Sequence, residues 1–286
     1  LKGCRIATLK GTVEPKKPLA LAARLEPFRG PQTGERWENS LGMRFVPVPG
    51  VDALFSVWET RVRDFEAFVK ATGHDATANV YSMRRGEWKP QGNTWKAPGF
   101  PQEPTHPVCG VNWEDAMAFC RWLTEKELKE GLLQEGQSYR LPTDEEWGKA
   151  AGDGKFPYGN ERPPPSDAGN YASAEAKDAD WPGDWAILDG RSDKFPRTAP
   201  VGSFKPNAHG IYDMGGNVWE WCLDWYRKEM NRAELREKIA TLSEDGGGRS
   251  FRVTRGGSWS DSSAFFLSTT FRDSVSPEKR YAIIGF

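Results

Sequence analysis

The chain has 286 residues, with 39 Lys+Arg against 40 Asp+Glu, so its formal net charge is −1. That balance excludes a globally basic nucleic-acid binder, and no segment has the Lys/Arg density of a basic arm. Mean hydropathy is −0.68 and the apolar runs are only a few residues long, too short to span a bilayer. Thirteen Trp and 12% aromatics exclude a solvated polar coil, while 30 Gly and 21 Pro predict many turns and much irregular backbone.

Residues 1–37 are rich in Lys, Pro and Ala and read as an extended arm or linker, with a short helix at Leu19–Leu25. The domain proper is placed at 38–286. Met43–Val48 and Leu54–Glu59 carry the alternation of strands. Val62, Phe65, Phe68 and Val69 then recur at helical spacing, with Gly73 as the stop. The stretch 75–108, with Tyr81, Trp88 and Trp95, reads as a long ordered loop or small hairpin.

Asn112 caps a second predicted helix whose apolar face is Ala116, Phe119, Cys120 and Leu123. Thr143-Asp144-Glu145-Glu146 has the form of a capping box opening a third, with Trp147, Ala150 and Ala151 on its buried side. Residues 152–210 show no helix or strand pattern. So long an irregular stretch inside a domain needs something besides a backbone ladder to hold it, and a metal ion is one candidate. Short strands are expected around Val218–Trp221, Arg252–Arg255 and Ala282–Phe286.

Four scattered cysteines (Cys4, Cys109, Cys120, Cys222) and three isolated histidines offer no disulfide framework and no zinc motif. Cys120 and Cys222, beside Phe119 and Trp221, read as buried, inert thiols. His106 and His209 lack a nucleophile or acid partner in sequence and read as structural. Gly246-Gly247-Gly248 and Gly256-Gly257 lack the flanking elements of a phosphate loop.

Six motifs occur in order: Gly42-Met43 with Phe45–Gly50, followed by Trp58-Glu59-Thr60-Arg61-Val62; His106-Pro107-Val108 with Val111–Ala116; Tyr139–Trp147; Ala199-Pro200-Val201-Gly202; Gly210–Trp221; and Arg255-Gly256-Gly257-Ser258-Trp259. Together they resemble the formylglycine-generating enzyme, or sulfatase-modifying factor, family. The resemblance covers about residues 39–286 and implies an α+β fold of the C-type-lectin kind, with little regular secondary structure and long ordered loops.

The family's oxidase uses a redox cysteine pair just after the Arg-Gly-Gly-Ser-Trp motif. Those positions here hold Asp261 and Phe266, and no Cys follows Trp259. A thiolate pair that recruits copper has no substitute among other side chains. The chain is therefore expected to be non-enzymatic, with no copper.

The family's calcium sites answer what could order residues 152–210. By resemblance, one maps onto Asn170, the Tyr171 carbonyl, Asp193 and the Phe195 carbonyl. The other maps onto Asp213, the Gly216 and Val218 carbonyls and Glu220. Carboxylates mixed with carbonyls are what Ca²⁺ selects.

The segment after Trp259 mixes aromatics with small polar residues: Ser260, Asp261, Ser262, Phe265, Phe266, Phe271, Asp273, Ser274, Val275, Tyr281, Ala282 and Ile283. Such mixtures suit recognition surfaces. In this place a subgroup of these scaffolds, the variable proteins of diversity-generating retroelements, randomises its residues. Mutating the adenines of an AAC codon leaves codons ending in C, and every residue of the set has one. A constant-looking frame (Arg255–Trp259, Arg272, Pro277, Arg280, Gly285-Phe286) surrounds them. The resemblance thus implies a ligand-binding display protein whose partner is a protein or other surface ligand, not nucleic acid; the alternative is a catalytically inactive accessory module of a larger assembly. Leu1-Lys2-Gly3-Cys4 resembles the end of a bacterial lipoprotein signal apart from Lys2. That likeness implies an extracytoplasmic or cell-surface location with Cys4 carrying lipid.

Overall fold

A computed structural model describes residues 4–6, 25–27, 30–178, 180–226 and 251–286. Within the first 37 residues, β1 (Cys4–Ile6) pairs antiparallel with β2 (Leu25–Pro27). The helix expected at Leu19–Leu25 lies outside the described residues apart from Leu25, which is in a strand. Cys4, the expected lipid attachment point, opens β1.

A three-stranded antiparallel sheet follows: β3 (Trp37–Glu38), β4 (Arg44–Pro47) and β5 (Leu54–Ser56), in the order β3-β4-β5. Helix α1 (Val62–Thr72) ends where Gly73 takes a left-handed φ of 71°. The stretch 75–108 contains a hairpin, β6 (Val80–Arg84) and β7 (Glu87–Asn93), turned by Arg85 and Gly86. Both turn residues have positive φ, 49° and 79°, the hand that matches strand twist in a two-residue loop.

Helices α2 (Trp113–Lys129) and α3 (Asp144–Ala151) start as their sequences predict. The Asn112 side chain accepts from the Asp115 amide, and Thr143 and Glu146 satisfy one another's amides reciprocally. Glu146 also receives both terminal nitrogens of Arg140 at 2.7 Å, and with the Thr143 contacts this holds its carboxyl down to about 2.

The C-terminal sheet has four strands in the order β10-β9-β8-β11: β8 (Trp219–Trp225), β9 (Arg252–Arg255), β10 (Asp273–Val275) and β11 (Ile284–Gly285). Strand β11 runs parallel to β8, and the other pairs are antiparallel. Gly285 has no alternative here, because a Cβ would fall 2.3 Å from the Val108 carbonyl. Phe286 ends the chain against Phe65 and Phe119, so α1, α2 and the C-terminus share one core.

Between α3 and β8 the only helical element among the described residues is a 3₁₀ turn at Ala174–Ala176. Side chains replace the missing ladder. Arg191 donates to the carbonyls of Pro164, Pro165 and Gly169 and lies over the Tyr171 ring at 4.8 Å. Asn217 accepts from Asn170 and from the Ala199 amide, and donates to Glu59. The ordering that suggested a metal is thus supplied in large part by a buried guanidinium and two amides. These buried side-chain bonds to backbone carbonyls and amides tie the loop together as a ladder would, although Arg191 Nε and Asn170 Oδ1 are left without a hydrogen-bond partner.

Candidate functional site

The 255–283 segment is anchored by its arginines. Arg255, at the end of β9, pairs with Asp144 at 2.9 Å and covers the Trp147 ring. Arg272 pairs with the same carboxylate at 2.6 Å, and Arg280 reaches Asp115 at 2.8 Å. Asp144 and Asp115 stand in the first turns of α3 and α2, where an anion is also favoured by the helix dipole. Trp259 and Leu267 are buried between these anchors.

Asp261 closes the turn after the Arg-Gly-Gly-Ser-Trp motif. Its Oδ2 accepts from the Ser258 amide (2.9 Å), the Ser258 hydroxyl (2.8 Å) and Trp219 Nε1 (3.0 Å). Burial raises its carboxyl to about 6 in spite of these bonds, with Asp273 adding like-charge repulsion. Asp273 is itself raised by burial. Neither carboxylate has an ion-pair partner among the described residues.

Around Asp261 the aromatics gather. Phe265 is 66% exposed and Phe266 38%. Their ring centroids lie 5.7 Å apart, and Phe271 sits 4.6 Å from Phe265 and 5.2 Å from Phe266. Trp219 forms the floor, 5.8 Å from Phe271 and 6.4 Å from Phe266. Val275 and Ile283 pack beside it, partly covered. Tyr281 stands in a second aromatic group with Tyr81 (5.1 Å) and Trp88 (6.3 Å), to which Ile283 is the bridge.

Not every predicted position faces outward. Ser260 is buried, its hydroxyl against that of Ser258, and Ala282 is 1% exposed beneath the Tyr81 strand. Both shape the backbone under the face and do not lie on it. Ser262 donates to the Ala186 carbonyl, and Ser274 donates its amide to Asp273. Sequence reading left out Trp219, Tyr81 and Trp88. Trp219 sits inside a motif legible only as core, and the other two join the face through a distant hairpin.

The calcium ligands implied by resemblance divide in two. Gly216 lies so close to the Asn170 carbonyl that a Cβ would fall 2.2 Å from it, so the two sets are neighbours. Among the described residues no three His, Cys, Asp or Glu side chains converge on a metal position, so carbonyls would have to complete either site. In the second set, Asp213 takes a φ of 57°, its Oδ2 accepts from the Gly202 amide, and its buried Oδ1 has no partner. Burial raises Asp213 to about 6 and Glu220 to about 8, and each repels the other and Glu59. Glu59 and Asp213 are buried and Glu220 half-buried, none with an ion-pair partner among the described residues. As the three side chains do not converge, it is the unpartnered Asp213 Oδ1 with neighbouring carbonyls that fits a hard divalent ion. In the first set, Asn170 Oδ1 is likewise buried without a partner. The Asp193 oxygens, however, accept from the Tyr171 and Phe195 amides, and Arg191 lies 4.0 Å away. A guanidinium already answers that charge, so the first set fits an ion less well than the second.

Cys109, Cys120 and Cys222 are free and buried, their thiols all pushed up by desolvation (Cys120 to about 12), so none is a thiolate near neutrality.

Among the described residues, three helices and small sheets, with long side-chain-braced loops presenting a C-terminal face, define a C-type-lectin-like protein of the formylglycine-generating-enzyme type. The family of the sulfatase-modifying factor enzyme 1-like domain matches residues 55–286, and the chain belongs to it. The structured unit starts earlier, since β3 and β4 complete the sheet of β5.

The formylglycine-generating enzyme of Thermomonospora curvata is 32% identical over 228 residues, covering 69% of this chain and 67% of that protein. The chain thus spans about two thirds of the length of that curated relative. Among solved structures, PvdO from Pseudomonas aeruginosa matches with a TM-score of 0.61 at 21% identity, over 90% of this chain and 98% of that one. Treponema denticola variable protein 1 matches with a TM-score of 0.52 at 21% identity, over 94% and 96%.

Proposed function

We propose that the chain is a non-catalytic recognition protein whose C-terminal segment, about residues 260–283, is a variable binding face. The observation that carries this reading is the division of labour within the segment. The frame residues Arg255, Arg272 and Arg280 are tied to acids of α2 and α3, while Phe265 and Phe266 between them are left exposed on the surface. A side chain can change at such a position with little effect on folding, which is what a diversified surface requires. The fold shared with a solved variable protein supports the same reading.

The absence of enzymatic activity is part of the proposal. Asp261 and Phe266 stand where the family's oxidase carries its cysteines, and an acid and a ring cannot perform thiol redox chemistry or recruit copper. A structural calcium ion at Asp213 and Glu220 is proposed with it, resting on the unpartnered Asp213 Oδ1. An extracytoplasmic or surface location would follow from such a role.

Sequencing the gene from many clones of the producing strain tests the reading. Substitutions concentrated at codons for Ser262, Phe265, Phe266, Phe271 and Asp273, with the Arg255–Trp259 frame and the turn-closing Asp261 more constant, are the expected result. Variation spread evenly along the gene, or none at all beside a gene lacking any template copy, overturns it. Activity on a cysteine peptide with copper supplied would overturn the non-catalytic part.

A further inference from the structure

The exposed aromatic patch also carries a charge. Phe265 and Phe266 present rings to solvent, the half-buried Phe271 packs against both, and the two acids Asp261 and Asp273 stand beside them with no ion-pair partner among the described residues. Asp261 has committed one oxygen, Oδ2, to three donors; its Oδ1 accepts no hydrogen bond from the described residues. Asp273 accepts the Ser274 amide through Oδ1 alone. Two oxygens are therefore open to an incoming donor.

An acid sheltered among rings is costly to keep charged, as the raised carboxyl of Asp261 reflects. Bringing a cation to it removes that penalty, and aromatic faces attract the same cation through their quadrupole. A neutral or anionic partner would bury the two carboxylates without compensation. The frame arginines are turned to other acids: Arg255 and Arg272 share the single carboxylate of Asp144 and Arg280 pairs with Asp115, so none of these ion pairs answers Asp261 or Asp273.

We propose that the Phe265–Phe266–Phe271 patch docks a partner protein through a lysine- or arginine-bearing segment, with the cationic group held at Asp261 and Asp273 and its aliphatic stem along the phenyl rings. The proposal rests on the recognition-face reading and specifies the chemistry of what that face takes. Guanidinium suits it best, since its planar fork can bridge two single oxygens while stacking on a ring.

The test uses the full chain labelled at tryptophan nitrogen, with the Trp219 indole resonance as reporter because that group donates to Asp261. The probes are four blocked hexapeptides in which Gly alternates with Arg, Lys, Glu or Ser. The Arg and Lys peptides are expected to shift the Trp219 resonance saturably, with affinity falling as salt is raised. Asp261→Asn and Asp273→Asn, which keep shape and an acceptor, should each weaken the Arg peptide by about tenfold. No shift with either basic peptide, or equal affinity for the Glu and Ser peptides, overturns the proposal, as does binding unmoved by both Asn variants.

Phe265→Ala and Phe266→Ala separate this from failure of the face itself. If these variants abolish binding that the Asn variants leave intact, the face binds ligand but not through charge. If they too leave binding unchanged, the segment is not the binding face.

Discussion

Trp219 Nε1 donates to Asp261 Oδ2 across 3.0 Å, and through that bond a strand residue of the C-terminal sheet fixes the first turn of the exposed segment. Asp261 also receives the amide and hydroxyl of Ser258, so one carboxylate oxygen closes three donors at once. Asp261→Ala would strand these groups. An unsatisfied buried donor costs about 1–3 kcal/mol. Urea unfolding should therefore show Asp261→Ala destabilised by about 2 kcal/mol or more and Asp261→Asn by clearly less. Equal effects of the two would mean that the hydrogen bonds contribute little.

The exposed rings should be separable from the buried frame. Phe265→Ala is expected to change stability by no more than about 0.5 kcal/mol, the usual range for surface substitutions. Leu267→Ala, two residues on and 1% exposed, should cost about 2–5 kcal/mol. Tyr281→Ala falls between them, because Tyr281 packs on Tyr81 and Trp88. Thermal melts of the three variants check this order; a large loss for Phe265→Ala would place its ring in the core.

Asp261 gives the protein a pH signature. Its folded-state carboxyl, raised to about 6, lies above its unfolded value near 4. The native state then holds a proton that the unfolded chain has released, so this group's contribution falls as pH rises from about 4 to about 6 and is level above that. Asp273 on β10 is the charged group facing it, and Trp219 and Ser258 are its neutral partners. Asp261→Asn should flatten the slope of stability across that window. Binding of a basic peptide should strengthen as pH rises through about 6 in the native chain, and should lose that step in Asp261→Asn.

Calcium removal should lower the melting temperature. An ion that binds only the native state at 100 times its Kd adds about 2.7 kcal/mol. Asp213→Ala, which deletes the unpartnered Oδ1, should abolish the calcium-dependent part of the melt. A melting curve unmoved by saturating chelator would mean that the turn at 213–220 is held by protein contacts alone.

Arg191 is expected to be as important to the middle loops as any ion. Its guanidinium serves the carbonyls of Pro164, Pro165 and Gly169, and Lys cannot reproduce that planar fork. Arg191→Lys should accelerate amide hydrogen exchange across 165–195 while leaving α2 protected. Exchange rates unchanged in that stretch would assign its order to something else.

Much of this protein is local and therefore legible in sequence. Gly73 stops α1, Asn112 and Thr143 cap α2 and α3, and the spacing of Phe65, Phe68, Phe119 and Leu123 marks the faces that meet. Each of these depends on residues a few positions apart. The ordered motifs carried the fold by resemblance, where periodicity alone had no strand or helix to offer between 152 and 210.

Tertiary structure decided the rest, because it concerns groups far apart in the chain. Arg191 reads as one more surface charge until it is seen reaching carbonyls more than twenty residues away. Ser260 and Phe265 belong to the same kind of mixed sequence, yet one is buried against Ser258 and the other is two-thirds exposed. Strand β10 is too short to announce itself and exists by pairing with β9. Residue type sets what a side chain can do, but burial and partner arise only when Trp219, Asp261 and Asp273 are brought from three separate segments to one place.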